Sequence, residues 1–240
     1  MASERRTARA SALRGFAATL FVALTLTAGT GCTTFMVRVN PALEAAAGSG
    51  DPLAVYDALE ALIGARQDTP GDRTFAYEEL QRIDESSAAA TFARAAVTGR
   101  LVQQRGLRAA HLVPEIERYA ELSRKLDPDF RGGAATRVLG TLYVAAPATL
   151  LQHGDSERGL ALLEDLVDRR PDLLENHLRL AEAYVALGDP GPAADHLCRC
   201  IGSREGLGRD DRELLDRLLE HSGRLPCAYV DVATPPSDKP

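Results

Sequence analysis

The chain has 240 residues, with 28 basic and 34 acidic side chains that give a formal net charge of −6. Aromatic residues make up 5% and tryptophan is absent, whereas proteins that bind single-stranded nucleic acids stack bases on aromatic side chains. This composition excludes a basic, base-stacking nucleic-acid-binding module. Hydrophobic residues at 45% and charged residues at 26% are typical of a folded protein.

The N-terminus has the three-part pattern of a bacterial export signal. Four arginines within residues 1–14 precede an apolar run over residues 15–28, which is shorter than the roughly 20 residues that a membrane-spanning helix needs. Small residues follow, as they do before a cleavage site. The segment 29–32 (GTGC) resembles a lipobox. The resemblance implies that residues 1–31 form a signal peptide and that Cys32 is lipidated.

Lipidation of Cys32 predicts a periplasmic protein anchored to the cell envelope, because each buried methylene of an acyl chain contributes ~0.8 kcal/mol to membrane binding. Thr33 follows the cysteine, instead of the aspartate that retains lipoproteins at the inner membrane, so the resemblance favours the outer membrane. Two alternatives are a plain cleaved signal that leaves a free thiol at Cys32, and twin-arginine export through Arg5-Arg6.

Beyond a tether over residues 32–50, apolar residues recur with the helical period of 3.6 and no long alternating strand pattern is found. The sequence therefore predicts an all-α fold over residues 51–225, followed by a partly disordered tail over 226–240. About nine helices are expected, centred on 53–63 and 75–83 and spanning 89–104, 113–126, 137–152, 157–170, 173–187, 192–201 and 211–222.

Two consecutive units, 137–171 and 172–201, match the spacing of the tetratricopeptide repeat (TPR), in which two antiparallel helices pack closely. A C-terminal helix over 210–222 follows them. The first helix of the unit 137–171 exceeds the length of the repeat and contains Pro147, so we expect an extended, kinked helix there. The matching residues are Leu139, Gly140, Tyr143, Gly154, Asp155, Gly159, Leu163 and Pro171, then Leu180, Ala181, Tyr184, Gly188, Asp189, Ala193 and Leu197.

These units predict a TPR-like helical-repeat solenoid with an N-terminal lipoprotein signal peptide, while a generic α-bundle is the alternative. In a solenoid, the first helix of each pair lines the concave face. By analogy with the repeat, that face presents Arg137, Thr141 and Val144 in one unit and Glu175, Leu178 and Glu182 in the next. An arginine opposite two carboxylates suits a peptide or a small polar ligand, whereas a solvated charged face is the simpler interpretation.

The segment 137–187 resembles the T component of tripartite ATP-independent periplasmic (TRAP) transporters, a family of TPR-like lipoproteins. His153 replaces one family glycine and Val144 replaces one family tyrosine. The resemblance implies a partner that is a periplasmic solute-binding protein, and a pore through each protomer. The matching residues are Gly140, Tyr143, Pro147, Gly154, Asp155, Leu174, Leu180, Ala181, Glu182 and Tyr184.

Three cysteines follow Cys32, and export would place them in an oxidising compartment where pairs form disulfides. Cys198 and Cys200 diverge on one helix, so they are not expected to pair with each other. We expect Cys200–Cys227, because Cys200 falls on the packing face, with Cys198–Cys227 as the alternative. A zinc site formed by Cys200 and Cys227 with His196 and His221 is a weaker hypothesis.

The sequence contains no motif for a nucleophile elbow, a phosphate-binding loop or a zinc protease. It therefore predicts a non-catalytic protein without cofactor or metal, which binds a protein partner or ligand through its helical surface. Membrane attachment through the lipid and self-association are also compatible with this interpretation. The alternatives are a structural scaffold in envelope assembly or secretion and, less favoured, an uncharacterised enzyme.

Overall fold

The computed structural model describes residues 38–222 and Cys227, and this part of the chain is helical without a β-strand, which confirms the all-α prediction. The predicted signal peptide, Cys32 and nearly all of the tail lie outside the described residues. No helix within the described part has both the length and the apolar character that crossing a membrane requires. Its helices are α1 (Pro41–Gly48), α2 (Pro52–Gly64), α3 (Pro70–Leu80), α4 (Ala88–Arg105), α5 (Val113–Leu126), α6 (Ala134–Ala145), α7 (Ser156–Arg169), α8 (Leu174–Ala186), α9 (Pro190–Gly202) and α10 (Arg209–Ser222).

Local sequence fixes where several of these helices begin. The side chains of Asn40, Asp51, Thr69, Ser87 and Asp155 each accept a hydrogen bond from a backbone N–H of the following first turn. Such caps are worth ~1 kcal/mol each, because they satisfy donors that the helix itself leaves free. Proline occupies the first position of α1, α2 and α3, where its missing N–H costs nothing.

The nine predicted helices are all present, and α1 is an additional one within the segment predicted as a tether. Leu43 of α1 is fully buried against Val55 and Leu59 of α2. In addition, the backbone N–H of Asn40 donates to the buried Asp72 of α3 at 2.7 Å. The prediction of a tether was wrong for residues 41–48, because a helix of about two turns with one buried leucine carries too weak a periodic signal.

The prediction of an extended, kinked helix through Pro147 was also wrong. Helix α6 ends at Ala145, Ala146 is extended with a ψ of 142°, and a 3₁₀ turn follows over Ala148–Leu150. The residue before a proline disfavours the helical conformation, so Pro147 ends the helix instead of bending it.

The helices pack in two layers. An inner layer contains α2, α4, α6, α8 and α10, and each of these contacts the next helix of the layer. An outer layer contains α3, α5, α7 and α9, and each of these packs between two successive inner helices. The closest pairs are the consecutive ones, α4 with α5, α6 with α7 and α8 with α9. The apolar core lies between the two layers.

Two glycines set the close packing of α6 against α7. A Cβ atom added to Gly159 would lie 2.8 Å from the backbone oxygen of Gly140, and one added to Gly140 would lie 2.5 Å from Leu163. Because neither position accepts a side chain, these glycines allow the backbones of the two helices to meet.

The inner layer curves until its two ends meet. The guanidinium of Arg66, just after α2, lies 2.5 Å from the carboxylate of Glu213 in α10. Arg209 of α10 donates to the backbone oxygen of Gly64 at 3.3 Å, and Arg100 of α4 lies 3.3 Å from Asp210. The first and last helices of the inner layer therefore close it around a central space.

Candidate functional site

The central space is a cavity of about 920 Å³ that is walled by the inner-layer helices. Its volume falls within the range of pockets that hold small molecules, about 300–1,000 Å³. Every inner-layer helix contributes to its wall, as do the 3₁₀ segment after α4 and the turn after α6. The cavity is therefore a feature of the whole curved layer and not of one helix pair.

One part of the cavity wall is apolar. Ala96 and Val102 of α4 and Val138 and Leu142 of the neighbouring α6 form it. The rim carries Leu107, whose side chain is 91% exposed. Covering a large exposed apolar side chain with an apolar ligand or partner is energetically favourable, so the rim is suited to contact such a molecule.

The other part of the wall is charged, and most of its charges are paired. Arg100 binds the carboxylate of Glu60 with two nitrogens, one of them at 2.7 Å. Burial by itself lowers the pKa of Arg100, but the hydrogen bonds to Glu60 together with the negative charges of Glu60 and Asp210 outweigh burial and raise it. Arg179 lies 2.7 Å from Asp211 and 3.0 Å from Glu182. In each ion pair the arginine and the carboxylate hold each other in place, because a guanidinium binds a carboxylate in a defined geometry.

Arg137 differs from the other arginines of the wall. Its Nη1 donates to the neutral Oδ1 of Asn176 at 2.6 Å and to the backbone oxygen of Gly132 at 3.4 Å. Within the described part of the chain no carboxylate forms an ion pair with it. Burial lowers the pKa of Arg137, an effect that the more distant charge of Glu175 opposes. The cavity thus contains a desolvated cation that lacks an anion in contact.

One turn along α6, the hydroxyl of Thr141 is buried and has no hydrogen-bond partner among the described residues. Residues four apart lie on the same face of a helix, so Arg137 and Thr141 face the cavity together. An unsatisfied buried hydroxyl costs about 1–3 kcal/mol.

Some of the residues predicted for the concave face line the cavity and others do not. Arg137, Thr141 and Glu175 line the cavity. Glu182 does not line it and instead pairs with Arg179. Val144 and Leu178 are packed into the core, where Leu178 is fully buried, so their assignment to the concave face was wrong. All six positions were predicted by analogy with the repeat, which does not specify which side chains of a helix the core covers.

The cysteine pairing expected first is also corrected. Cys198 and Cys227 form the disulfide, with a Cα–Cα distance of 5.3 Å. Cys200 is a buried free thiol whose Sγ lies 3.6 Å from the backbone oxygen of Leu174, and burial raises the pKa of that thiol to about 12. Cys200 does fall on the packing face, but that face is filled by the core, so only Cys198 on the other side of α9 remains accessible to Cys227.

The four residues of the zinc hypothesis do not assemble. Nδ1 of His196 lies 2.9 Å from Nδ1 of His177, and Nδ1 of His221 lies 2.7 Å from the backbone oxygen of Arg217. Cys227 is consumed by the disulfide. These side chains therefore serve packing and local hydrogen bonding.

Sequence reasoning missed a buried carboxylate outside the cavity. Glu117 of α5 is 1% exposed and accepts the backbone N–H groups of Gln152 and His153, both at 2.7 Å. Glu121 and His153 offer ligand atoms within 4.8 Å of it, a spacing that a cation would accept. However, both oxygens of Glu117 are hydrogen-bonded, and the guanidinium of Arg158 lies 3.6 Å from Glu121. The cluster anchors the turn after α6 onto α5.

Neither a search of protein-family models nor a search of curated proteins finds a match to this chain. The cavity and the residues that line it are therefore the features from which a function can be inferred.

Proposed function

We propose that this protein is a non-catalytic, lipid-anchored binding protein of the bacterial periplasm, built as a TPR-like solenoid. Its inner face binds a ligand or a segment of a partner protein. We further propose that it serves as an accessory of a TRAP-type solute transporter and meets a periplasmic solute-binding protein.

The arrangement of the helices supports the solenoid. Consecutive helices form the closest pairs, the first helix of each pair contacts the first helix of the next, and the second helices form a separate outer layer. Repeat proteins have this nearest-neighbour pattern, because each unit buries its apolar face only by stacking on the next unit. The close approach at Gly140 and Gly159 falls at two positions of the repeat pattern.

The single observation that carries the binding function is the cavity of about 920 Å³ inside the curved layer. Its wall combines apolar residues with a few charged groups held in fixed positions, which is the composition of recognition sites. Arginines paired with carboxylates and one arginine without such a partner suit binding and orientation of a ligand. The chemistry of the wall therefore favours binding over catalysis.

The lipid anchor is tested separately from the cavity. We expect cells that express the full chain to incorporate radiolabelled palmitate into it, and the Cys32→Ala variant to lose the label. Cys200→Ala is the matched control, because its thiol is buried in the core and it lies far along the sequence from the signal. Label that persists in Cys32→Ala would contradict the anchor without affecting the binding proposal.

The binding function is tested by photo-crosslinking in cells. A photoreactive amino acid replaces Leu107 at the rim of the cavity or, as the control, Leu126 of the outer layer, whose side chain is 46% exposed. We expect mass spectrometry to identify a periplasmic solute-binding protein from position 107 and not from position 126. Recovery of only envelope-assembly or secretion components would contradict the transport role and support the scaffold instead.

A further inference from the structure

The two ends of the inner layer meet without packing tightly on each other. Helix α2 packs against α1, α3 and α4, whereas α10 packs against α8 and α9. Within the described part of the chain, no apolar cluster contains residues of both α2 and α10. The boundary between α2 and α10, which we call the seam, therefore lacks an apolar core of its own.

Polar contacts cross the seam instead. Arg66 and Glu213 form an ion pair at 2.5 Å, in which the side chain of Arg66 is 65% exposed and that of Glu213 is 39% exposed. Arg209 donates to the backbone oxygen of Gly64 at 3.3 Å. Ion pairs at this exposure are weak, because water and salt screen the two charges.

A further contact runs through Arg100 of α4, and it favours one side of the seam. The guanidinium binds Glu60 of α2 with two nitrogens, one of them at 2.7 Å, but it lies 3.3 Å from Asp210 of α10. A bidentate pair of arginine and carboxylate is the stronger of these two arrangements. Separation of α2 from α10 therefore leaves Arg100 with Glu60 and breaks only the longer contact with Asp210.

Arg66 occupies a position where glycine is the usual residue. Its backbone N–H donates to the oxygen of Ile63, and the N–H of Gln67 donates to the oxygen of Leu62, which together form a Schellman cap at the end of α2. The cap places Arg66 in the left-handed region with a φ of 56°, where a side chain costs stability relative to glycine. Because the cap does not use the guanidinium, this side chain has a separate role at the seam.

Opening of the seam does not require any helix pair to separate. In a repeat fold each unit contacts only its neighbours, so small rotations between successive units add up along the layer. The packing of α2 on α4 and of α10 on α8 can persist during such a movement. Only the weak polar contacts across the seam are lost.

We propose that the seam is a lateral gate, which opens to admit an extended loop of a partner protein into the cavity. Gly64 and Asp210, which lie on opposite sides of the seam, both line the cavity, so the gate opens directly into it. A small molecule can enter at the rim near Leu107, whereas a loop has no free end to thread and must enter from the side. This inference rests on the proposed function, because it assumes that the cavity receives a partner.

The test measures the width of the seam by double electron–electron resonance on the full chain in a neutral maltoside detergent. Spin labels on genetically encoded p-acetylphenylalanine replace Ala61 of α2 and Arg217 of α10, which are both exposed, and leave the native cysteines unchanged. The control pair is Ala61 with the exposed Glu78 of α3, because α2 and α3 pack together.

The expected result is a separation that depends on salt. Raising NaCl from about 0.01 M to about 1 M shortens the Debye length from about 30 Å to about 3 Å and so screens the ion pairs of the seam. We expect the labels at Ala61 and Arg217 to move apart by about 5 Å or more, which is the width of an extended chain. The labels at Ala61 and Glu78 should keep their distance.

Two charge variants test the same opening at low salt. Glu213→Arg places three positive charges together with Arg66 and Arg209, so it should open the seam without added salt. The double variant Arg66→Glu with Glu213→Arg restores opposite charges and should close the seam again. Circular dichroism establishes that each variant folds, and the salt dependence tests the gate without either variant.

The occupant of the gate is tested with a photoreactive amino acid at Ala145, an exposed residue of the cavity wall. In cells, we expect mass spectrometry to locate the crosslink on an internal peptide of the partner protein. A crosslink confined to a chain terminus of the partner, or to a small molecule, would overturn lateral entry of a loop.

The outcomes distinguish the gate from the proposed function. A distance across the seam that changes neither at high salt nor in Glu213→Arg would overturn the gate. If that distance is unchanged while position 107 still crosslinks to a solute-binding protein, the gate fails and the binding function stands. If the seam opens but neither position 107 nor position 145 crosslinks to a protein, the cavity receives no partner and both proposals fail.

Discussion

The disulfide between Cys198 and Cys227 allows a quantitative test of how the C-terminal helix is held. The two cysteines are 29 positions apart and enclose α10, which packs Leu214 and Leu215 against α8 and α9. In the chain-entropy model, a loop of this length reduces the entropy of the unfolded chain by ~12 cal/mol/K, or ~3.6 kcal/mol at 25 °C. Reduction of the disulfide should lower the free energy of unfolding by about that amount.

The assay is urea unfolding of the full chain, followed by circular dichroism with and without dithiothreitol. We expect the reductant to destabilise the native chain and Cys200→Ser equally, because Cys200 is a free thiol. It should have no effect on Cys198→Ser or Cys227→Ser, which already lack the crosslink. A reductant effect that disappears in Cys200→Ser but persists in Cys198→Ser would refute the observed pairing and restore the one expected from the sequence.

Three further perturbations test the buried polar groups. Glu117→Gln removes one of the two hydrogen bonds to a charged acceptor and should lower the free energy of unfolding in urea by about 1.5–3 kcal/mol. The control Glu121→Gln, nearer the surface, should lower it by less than about 1 kcal/mol. Equal losses in the two variants would contradict the anchoring role of Glu117. Thr141→Val should stabilise the ligand-free protein by ~1 kcal/mol, because the hydroxyl of Thr141 lacks a hydrogen-bond partner. Ser123→Ala should destabilise the protein by a similar amount, because the hydroxyl of Ser123 donates a hydrogen bond at 2.9 Å. Burial and the neighbouring His177 lower the pKa of His196. The contribution of His196 to stability is therefore present above about pH 6.5 and is lost as pH falls below that value. The melting temperature of His196→Gln should vary less with pH in this range, and an unchanged pH dependence would count against the histidine pair.

The helices could be predicted from the sequence because their signals are local. Apolar residues at a spacing of 3.6 marked nine helices, and caps such as Ser87 and Asp155 lie at their starts. Arg137, Thr141 and Glu175 line one cavity, since the first helices of successive pairs lie side by side. Whether they bind a ligand stays a prediction.

The features that the sequence did not predict depend on long-range contacts. Closure of the inner layer requires Arg66 and Glu213, which are 147 positions apart, and surface residues of opposite charge carry no information about such a pairing. The choice between Cys198 and Cys200 depends on which side of α9 the core occupies. Glutamate is normally found at the protein surface, and only the hydrogen bonds of Glu117 with the turn after α6 explain its burial.

The measurement that tests the binding cavity most directly is to fill it. A Cβ atom added to Gly99 of α4 contacts no atom within 4 Å, and Gly99 lines the cavity, so we expect the large side chain of Gly99→Trp to extend into the central space. Gly202, at the end of α9, is equally open and lies away from the cavity wall, which makes Gly202→Trp the matched control.

Both variants should fold with the helical content of the native chain, as circular dichroism would establish. We expect Gly99→Trp to abolish the photo-crosslink to a solute-binding protein from position 107, whereas Gly202→Trp retains it. Undiminished crosslinking in Gly99→Trp would show that the central space is not the binding site.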